Sequence, residues 1–414
     1  MNVLKHKVLV VGGGAAGMMA AGMAAKFGAH VVLFERNDML GRKLAITGKG
    51  RCNVTNACSW EDVMKNIPRN SKFLYSALSS FSPHDVMSFF ETNGCELKVE
   101  RGNRVFPASD KSGSVLQALR KFLKEQNVEI RNERVKAVLQ QDGKVIGIKT
   151  ERAEYYGRSV ILCTGGCSYP LTGSTGDGYR MATELGHTIQ KPRGSLVPLV
   201  EQGNWCTKMQ GLSLKNVAVK LVNQKDKVVF EDFGELLFTH FGLSGPTVLS
   251  ASAHMNQKDR YRICIDLKPA LDEQKLDQRI LRDFDKFKNR NIENALQELY
   301  PKSMIPVIVA RVGIDPSVQA NAVTKQQRRA LLELTKNFSV EILGLRPVEE
   351  AIITAGGITV KEVDPKTMES KLVKGLYFAG EILDVDAYTG GFNLQIAWST
   401  AAAAAIAAAK RETL

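Results

Sequence analysis

Residues 7–35 read KVLVVGGGAAGMMAAGMAAKFGAHVVLFE, and the rest of the chain is interpreted outward from this stretch. Lys7–Val11 is a short apolar run with β-branched residues, the pattern of a buried strand. Gly12–Gly17 reads Gly-Gly-Gly-Ala-Ala-Gly, Met18–Phe27 is an apolar helical segment, and Val31–Phe34 is a second strand ending on Glu35. This is a βαβ unit with Gly12, Gly14 and Gly17 in the G-x-G-x-x-G positions. Gly12 permits a tight turn, Gly14 lets the backbone approach a pyrophosphate, and Gly17 lets the helix pack closely on the strand. Glu35 follows Gly17 by eighteen residues, where a carboxylate accepts hydrogen bonds from ribose hydroxyls. Strand, glycines, helix and acid agree on an α/β, Rossmann-like dinucleotide fold.

At 414 residues the chain exceeds one typical core, and two or three domains are expected. Residues 192–267 hold alternating apolar stretches such as Val217–Val222 and Ile263–Leu267, which predict a small β-rich unit. Residues 268–345 carry a 3.6-residue rhythm around Gln297–Leu299 and Leu331–Leu334, which predicts helices. After Arg346 the Gly-rich, β-branched pattern returns. The expected architecture is a cofactor domain from residues 1–191 and 346–414, with a substrate-facing domain inserted at 192–345. The first strand starts too early to leave room for a signal or transit peptide. No apolar run approaches the ~20 residues of a bilayer span, and Ala401–Ala409 reads as a packed helix. A cytoplasmic protein with no membrane partner is expected. Seven scattered cysteines form no CxxC pair and no His/Cys cluster, so neither a disulfide framework nor a metal site is expected. The net charge of +13 suits a polyanionic partner or an anionic substrate.

A dinucleotide fingerprint alone does not separate NAD from FAD, and two further segments do. Ser159–Gly166 (SVILCTGG) is a buried strand ending in a Thr-Gly turn, and Gly375–Asp384 (GLYFAGEILD) is another running into Gly-Glu. Both resemble the second and third signature segments of the glutathione-reductase-like FAD fold, which implies that Glu381 holds the ribityl chain. Thr389–Gln395 then opens the C-terminal helix, whose positive end suits the negative charge of a reduced flavin. Through Gly41–Asn56 (GRKLAITGKGRCNVTN), Gly102–Ser109, Gly165–Tyr179 (GGCSYPLTGSTGDGY), Gly234–Pro246 and Thr354–Gln395, the sequence resembles the BaiN/RdsA family of NAD(P)/FAD-dependent flavoproteins. Ala387, where Gly is usual, and the alanine run of the last helix are mild departures.

The cofactor set expected from these segments begins with Gly12, Gly14, Ala15, Ala16, Gly17, Glu35 and Arg36. Arg42 and Lys43 are expected to neutralise the pyrophosphate, and Thr47, Gly48, Gly50, Arg51, Cys52 and Asn53 to line the isoalloxazine. Val135, Thr164, Gly165, Gly380, Glu381, Asp384, Gly391, Asn393 and Leu394 complete the set. Three residues are candidate proton donors. Cys52 is a thiol that also reads as a small residue packed on the ring. His240 is an imidazole in a turn of the inserted domain, and Tyr169 precedes Pro170. Arg193, Lys208 and Lys215 are candidate substrate contacts, and Arg279–Arg290 is a basic segment that reads as a phosphate-binding face or as a salt-laced helix.

The resemblance implies reduction of an activated carbon–carbon double bond. The substrate is uridine in large-subunit (23S) ribosomal RNA, giving dihydrouridine, or alternatively a steroid-like enone, with NAD(P)H as a transient reductant that lacks a nucleotide domain of its own. The charge favours the RNA. An FAD-bound RNA-binding or assembly factor without turnover is the non-enzymatic alternative.

Overall fold

The computed structural model describes residues 7–256 and 259–410. The chain divides into two compact units, Met1–Ser195 with Val348–Leu414, and Leu196–Pro347.

The first unit opens with β1 (Lys7–Val11), α1 (Ala15–Lys26) and β2 (His30–Glu35), and continues through α2 (Ser112–Glu125), β3 (Glu129–Asn132), β4 (Ser159–Leu162), α3 (Asp177–Glu184) and β5 (Ile189–Ser195). The second unit holds β6 (Leu199–Glu201), β7 (Ser213–Asn223), β8 (Val228–Phe238), β9 (Gly242–Ser244), β10 (Tyr261–Asp266), α4 (Glu273–Lys286), α5 (Ile305–Val312), α6 (Lys325–Lys336) and β11 (Phe338–Leu345). The chain then returns to the first unit with β12 (Ile353–Ile358), β13 (Leu376–Phe378) and α7 (Phe392–Lys410).

A parallel sheet in the order β13-β4-β1-β2-β3 forms the centre of the first unit. Strands β1, β2, β4 and β13 are buried almost throughout because helices and loops cover both faces, whereas the edge strand β3 is largely exposed. Helix α1 lies against α7, and both are rich in alanine, which lets two backbones approach closely. Gly22 is needed on the other side of α1, since a Cβ there would meet the Phe122 ring of α2 at 2.2 Å. Trp398 of α7 is fully buried and donates its indole N–H to Val54 O at 2.9 Å. By length and hydropathy α7 would suffice to cross a membrane, yet most of it is buried inside this unit. A helix apolar all round is a core helix when protein surrounds it.

Strand β5 pairs with β12, which carries the first unit to Ser195, past the expected boundary at 192. The second unit is a closed six-stranded barrel in the order β6-β9-β8-β7-β10-β11, with α4, α5 and α6 packed beside it around Leu276, Ile280, Ile308 and Leu331. The all-helical reading of 268–345 is corrected here. Phe338, Val340 and Ile342 are buried in alternation, a period of two that the neighbouring 3.6-residue rhythm of α6 obscures, and β11 closes the barrel against β6 and β10. Leu296–Leu299 is turn rather than helix.

Candidate functional site

The strands β1, β2 and β4 end together. Gly12 N–H donates to Phe34 O at 2.8 Å and Cys163 N–H to Val11 O at 2.8 Å, so the loops beyond them converge on one side of the sheet. A cleft opens there, with about 1390 Å³ of atom-free space including solvent at its mouth.

The residues of the cleft form successive zones. At one end, both Glu35 oxygens accept protein donors: Gly13 N–H at 2.7 Å on Oε2, and Asn37 N–H at 2.8 Å and Nδ2 at 2.7 Å on Oε1. Arg42 donates to Asn37 Oδ1 at 3.0 Å. Arg36 and Arg134 both bind Asp177 Oδ2, at 3.1 and 2.8 Å. Burial would raise the Asp177 carboxyl, but Arg134 and Arg36 outweigh it and hold it below its ordinary range. Next comes the N-terminus of α1, which has no side-chain cap; the first N–H groups of a helix lack intrahelical acceptors and attract anions. Lys43 Nζ then donates to Glu381 Oε2 and Ser168 Oγ, each at 2.6 Å, while Glu381 Oε1 accepts Thr354 N–H at 2.8 Å. Asn393 and Leu394, in the first turn of α7, also line the cleft.

Of the expected cofactor residues, Gly12, Gly14, Ala15, Ala16, Glu35, Arg36, Arg42, Lys43, Thr47, Val135, Thr164, Gly165, Glu381, Asn393 and Leu394 line the cleft. Two observations test whether a dinucleotide suits it. A Cβ built on Gly14 meets no protein atom within 4 Å, and its φ of −77° is open to any residue. Nothing in the chain requires glycine there, whereas a phosphate drawn onto α1 does. The Thr164 hydroxyl is buried and has no partner among the described residues, a polar atom in the cleft wall that a ligand can satisfy. The residues present fit FAD.

The other expected residues lie off the cleft. Gly17 packs: its Cβ would meet Gly12 O at 1.7 Å. Gly380 faces Ala16, and Gly391 has φ +97° and abuts the backbone of Thr55. Asp384 bonds Asn70 Nδ2 at 3.1 Å, and burial raises its carboxyl. Gly48, Gly50, Arg51, Cys52 and Asn53 do not line this cleft, and Thr47 alone of that loop group does. Arg51 is held by Glu100 and Asp110 and stacks over Phe106 at 4.2 Å. In the amide orientation that satisfies its neighbours, Asn53 accepts Gly391 N–H at 2.9 Å and donates to Val105 O and Thr55 O, so it anchors the start of α7. Cys52 is 0% exposed, and burial raises its thiol far above the ordinary range. It packs in the core, and the proton-donor reading is dropped.

His240 is exposed in the β8–β9 turn, its carbonyl accepting the Thr207 hydroxyl at 2.8 Å. Tyr169 is half-buried with a left-handed φ of +52°, and Lys43 Nζ lies 6.0 Å from its ring centroid. Lys286, in the basic segment of α4, is paired with Glu298 at 2.7 Å and Arg279 with Asp283 at 2.7 Å, which matches the salt-laced reading. Asn37, Arg134 and Asp177 were not singled out from the sequence. Asp177 stands in the quoted GSTGDG run and Arg134 beside Val135, so proximity to a named segment was the available signal.

Comparison with known proteins agrees with this architecture. The family model described as HI0933-like protein Rossmann domain matches residues 6–407. The chain is 31% identical to the 3-dehydro-bile acid delta(4,6)-reductase of Clostridium scindens, over 98% of this chain and 100% of that one. It is 29% identical to the ribosomal RNA dihydrouridine synthase of Haemophilus influenzae, over 97% and 98%. Among solved structures, a 3-ketosteroid delta1-dehydrogenase of Sterolibacterium denitrificans shares the fold at a TM-score of 0.51 and 14% identity, over 98% of this chain and 99% of that one. The chain therefore belongs to the HI0933-like Rossmann-domain family, the BaiN/RdsA group that its motifs resemble, and is an FAD-dependent oxidoreductase.

Proposed function

We propose that this enzyme reduces a carbon–carbon double bond conjugated to a carbonyl, and that its substrate is uridine in large-subunit ribosomal RNA. The observation that carries the substrate half is the net charge of +13, which is spread over both units, with 34 Lys/Arg against 26 Asp/Glu in the first and 22 against 17 in the second. A positive surplus across the whole molecule suits a phosphate-rich substrate, which releases counterions on binding. The two full-length relatives support the chemistry, since a bile acid delta(4,6)-reductase and a dihydrouridine synthase both saturate a double bond beside a carbonyl.

When bound, FAD supplies the hydride, with NAD(P)H as its proposed reductant. The chain's own residues do the rest. Helix α1 and Arg42 would hold the pyrophosphate, and the first turn of α7 would stabilise negative charge on the cofactor. Lys43 and Ser168 fix Glu381 in one orientation. Tyr169 is the proton donor we favour, because its backbone is held in a conformation that costs a non-glycine residue energy beside a cleft-lining lysine.

Mass mapping of ribosomal RNA from a strain lacking the gene should show one dihydrouridine lost from the large subunit and restored by the wild-type gene. Unchanged dihydrouridine would transfer the proposal to a small-molecule enone, the reading that the bile acid relative supports. In that case anaerobic reoxidation of the reduced enzyme by a steroid enone should be fast and reoxidation by RNA absent.

A further inference from the structure

The barrel of the second unit has a gap in its wall. Strands β7 and β10 pair from Ala218↔Asp266 to Asn223↔Tyr261, so the first five residues of β7, Ser213–Val217, have no β10 partner. Beyond Asp266 the chain bends away, and Leu267 N–H donates to Thr335 O at 2.9 Å. On its other side β7 carries an irregularity between Leu214 and Val217 in its pairing with β8, and bulges of this kind re-aim side chains. The result is a wedge-shaped cavity with about 640 Å³ of atom-free space including open solvent. Its walls are the free edge of β7, Leu267–Lys268, and the segment from Leu299 to Met304 that leads into α5.

The lining is chemically one-sided. It includes Lys215 and Lys268 together with Ser213 and Asn216, and no carboxylate residue. The carboxylate nearest in sequence to Lys268 is Asp266, and it is committed elsewhere. Its Oδ2 pairs with Lys336 at 2.5 Å and its Oδ1 accepts Lys268 N–H at 2.9 Å. Neither Lys215 nor Lys268 takes part in an ion pair among the described residues. Lys268 is half-buried, and desolvation together with the nearby Arg279 lowers its ammonium below the ordinary range. An ammonium partly withdrawn from water without a counter-charge is costly, and Lys268 borders the cavity with no acidic residue in its lining. Apolar Leu299, Tyr300 and Met304 supply the opposite wall.

We propose that this wedge is a phosphate-binding pocket, in which Lys268 and Lys215 take the anion and the apolar wall takes the body that carries it. Two ammonium groups without any carboxylate match a doubly charged oxyanion, and the unpaired edge of β7 offers backbone N–H groups to it. The pocket lies wholly within the second unit, so it does not depend on the substrate assigned to the flavin site. The phosphate has two sources, a free nucleotide or an RNA chain.

Titration calorimetry on the FAD-loaded, full-length protein tests this with uridine 5′-monophosphate, inorganic phosphate, uridine and a short oligouridylate. The monophosphate should bind, uridine should bind at least ~10-fold more weakly, and Lys268→Met and Lys215→Met should each weaken the monophosphate by ~10-fold or more, equivalent to about 1.4 kcal/mol. Binding of the oligouridylate well above the monophosphate identifies an RNA chain as the source; equal or weaker binding identifies a free nucleotide. Flavin content should be unchanged in both variants. The free Lys268→Met protein should melt at or above the wild-type temperature, because an uncompensated charge has been removed. Failure of all three phosphate probes to bind the wild type, or wild-type affinity in both variants, overturns the proposal. So does a lower melting point for Lys268→Met, which would reveal an internal partner.

Discussion

Gly14 and Gly17 stand three residues apart in one motif, and the structure assigns them opposite consequences when each is changed to alanine. A Cβ on Gly14 enters open space. In the free protein two small terms oppose each other. Alanine restricts the unfolded chain, stabilising by about 0.4–1 kcal/mol, and it is a poorer N-cap than glycine by a similar amount. The apoprotein should therefore keep its stability within about 1 kcal/mol. Bound FAD is another matter, because a methyl group at Gly14 stands between the α1 amides and the pyrophosphate. Loss of one or two charge-assisted hydrogen bonds, at roughly 1.5–3 kcal/mol each, amounts to about 1.5–6 kcal/mol, or roughly 10- to 20,000-fold in affinity. At Gly17 the added Cβ lies 1.7 Å from Gly12 O and 3.4 Å from Cys163 Cβ. Helix α1 would have to withdraw from the loop by more than an ångström. Overpacking costs about 1–3 kcal/mol or more, so Gly17→Ala should lose stability as well as flavin. The assay measures flavin released per chain on denaturation, FAD affinity of the stripped protein by fluorescence quenching, and the melting temperature of the same stripped protein. Full flavin content and unchanged affinity in Gly14→Ala would refute the placement of the pyrophosphate. Equal melting temperatures for stripped Gly17→Ala and wild type would refute the packing argument.

Two further outcomes follow from the structure. His187 is buried between Ser370 Oγ at 2.8 Å and Glu362 Oε2 at 3.2 Å, and burial depresses its imidazole despite Glu362. Its contribution to stability is therefore full above the unfolded value of about 6.5 and is lost as pH falls from there through the lower folded value; urea midpoints should drop between pH 7.5 and pH 5 by more in the wild type than in His187→Gln. Cys52→Ala should keep turnover and its pH profile while losing some stability, because the thiol is core; a loss of turnover with stability intact would return Cys52 to the chemistry.

The dinucleotide half of the molecule was legible because its demands fall on the backbone. A strand must end, a turn must take the φ of +99° found at Gly12, a helix must approach within the space of a missing methyl, and a carboxylate must follow at fixed distance. Each demand acts within some thirty residues of chain. Glu381 was reached differently, through the resemblance of Gly375–Asp384 to an FAD signature segment, and it lines the cleft. Strand β11 was not, since its partners β6 and β10 lie far back in the sequence, and its own eight residues follow a helix with a strong period.

Polar residues in loops obey a different logic, because their role depends on which partner reaches them first. Arg51 reads as a flavin-lining residue in the same loop as Arg42 and Lys43, yet Glu100 and Asp110 arrive from a later segment and occupy it. Lys268 shows the converse. In the sequence it is one of 56 basic residues, two positions from an aspartate, Asp266. The fold turns that aspartate toward Lys336 and leaves the lysine facing a cavity. A charge is therefore informative when its expected counter-charge is already spent, and that is decided by contacts across residues 266–336, where α4, α5 and α6 intervene. The same reasoning separates the paired cations of α4 from Lys268. Arg279 and Lys286 have internal acids and should change little in RNA affinity when neutralised, whereas Lys268 has none to replace the ligand it awaits.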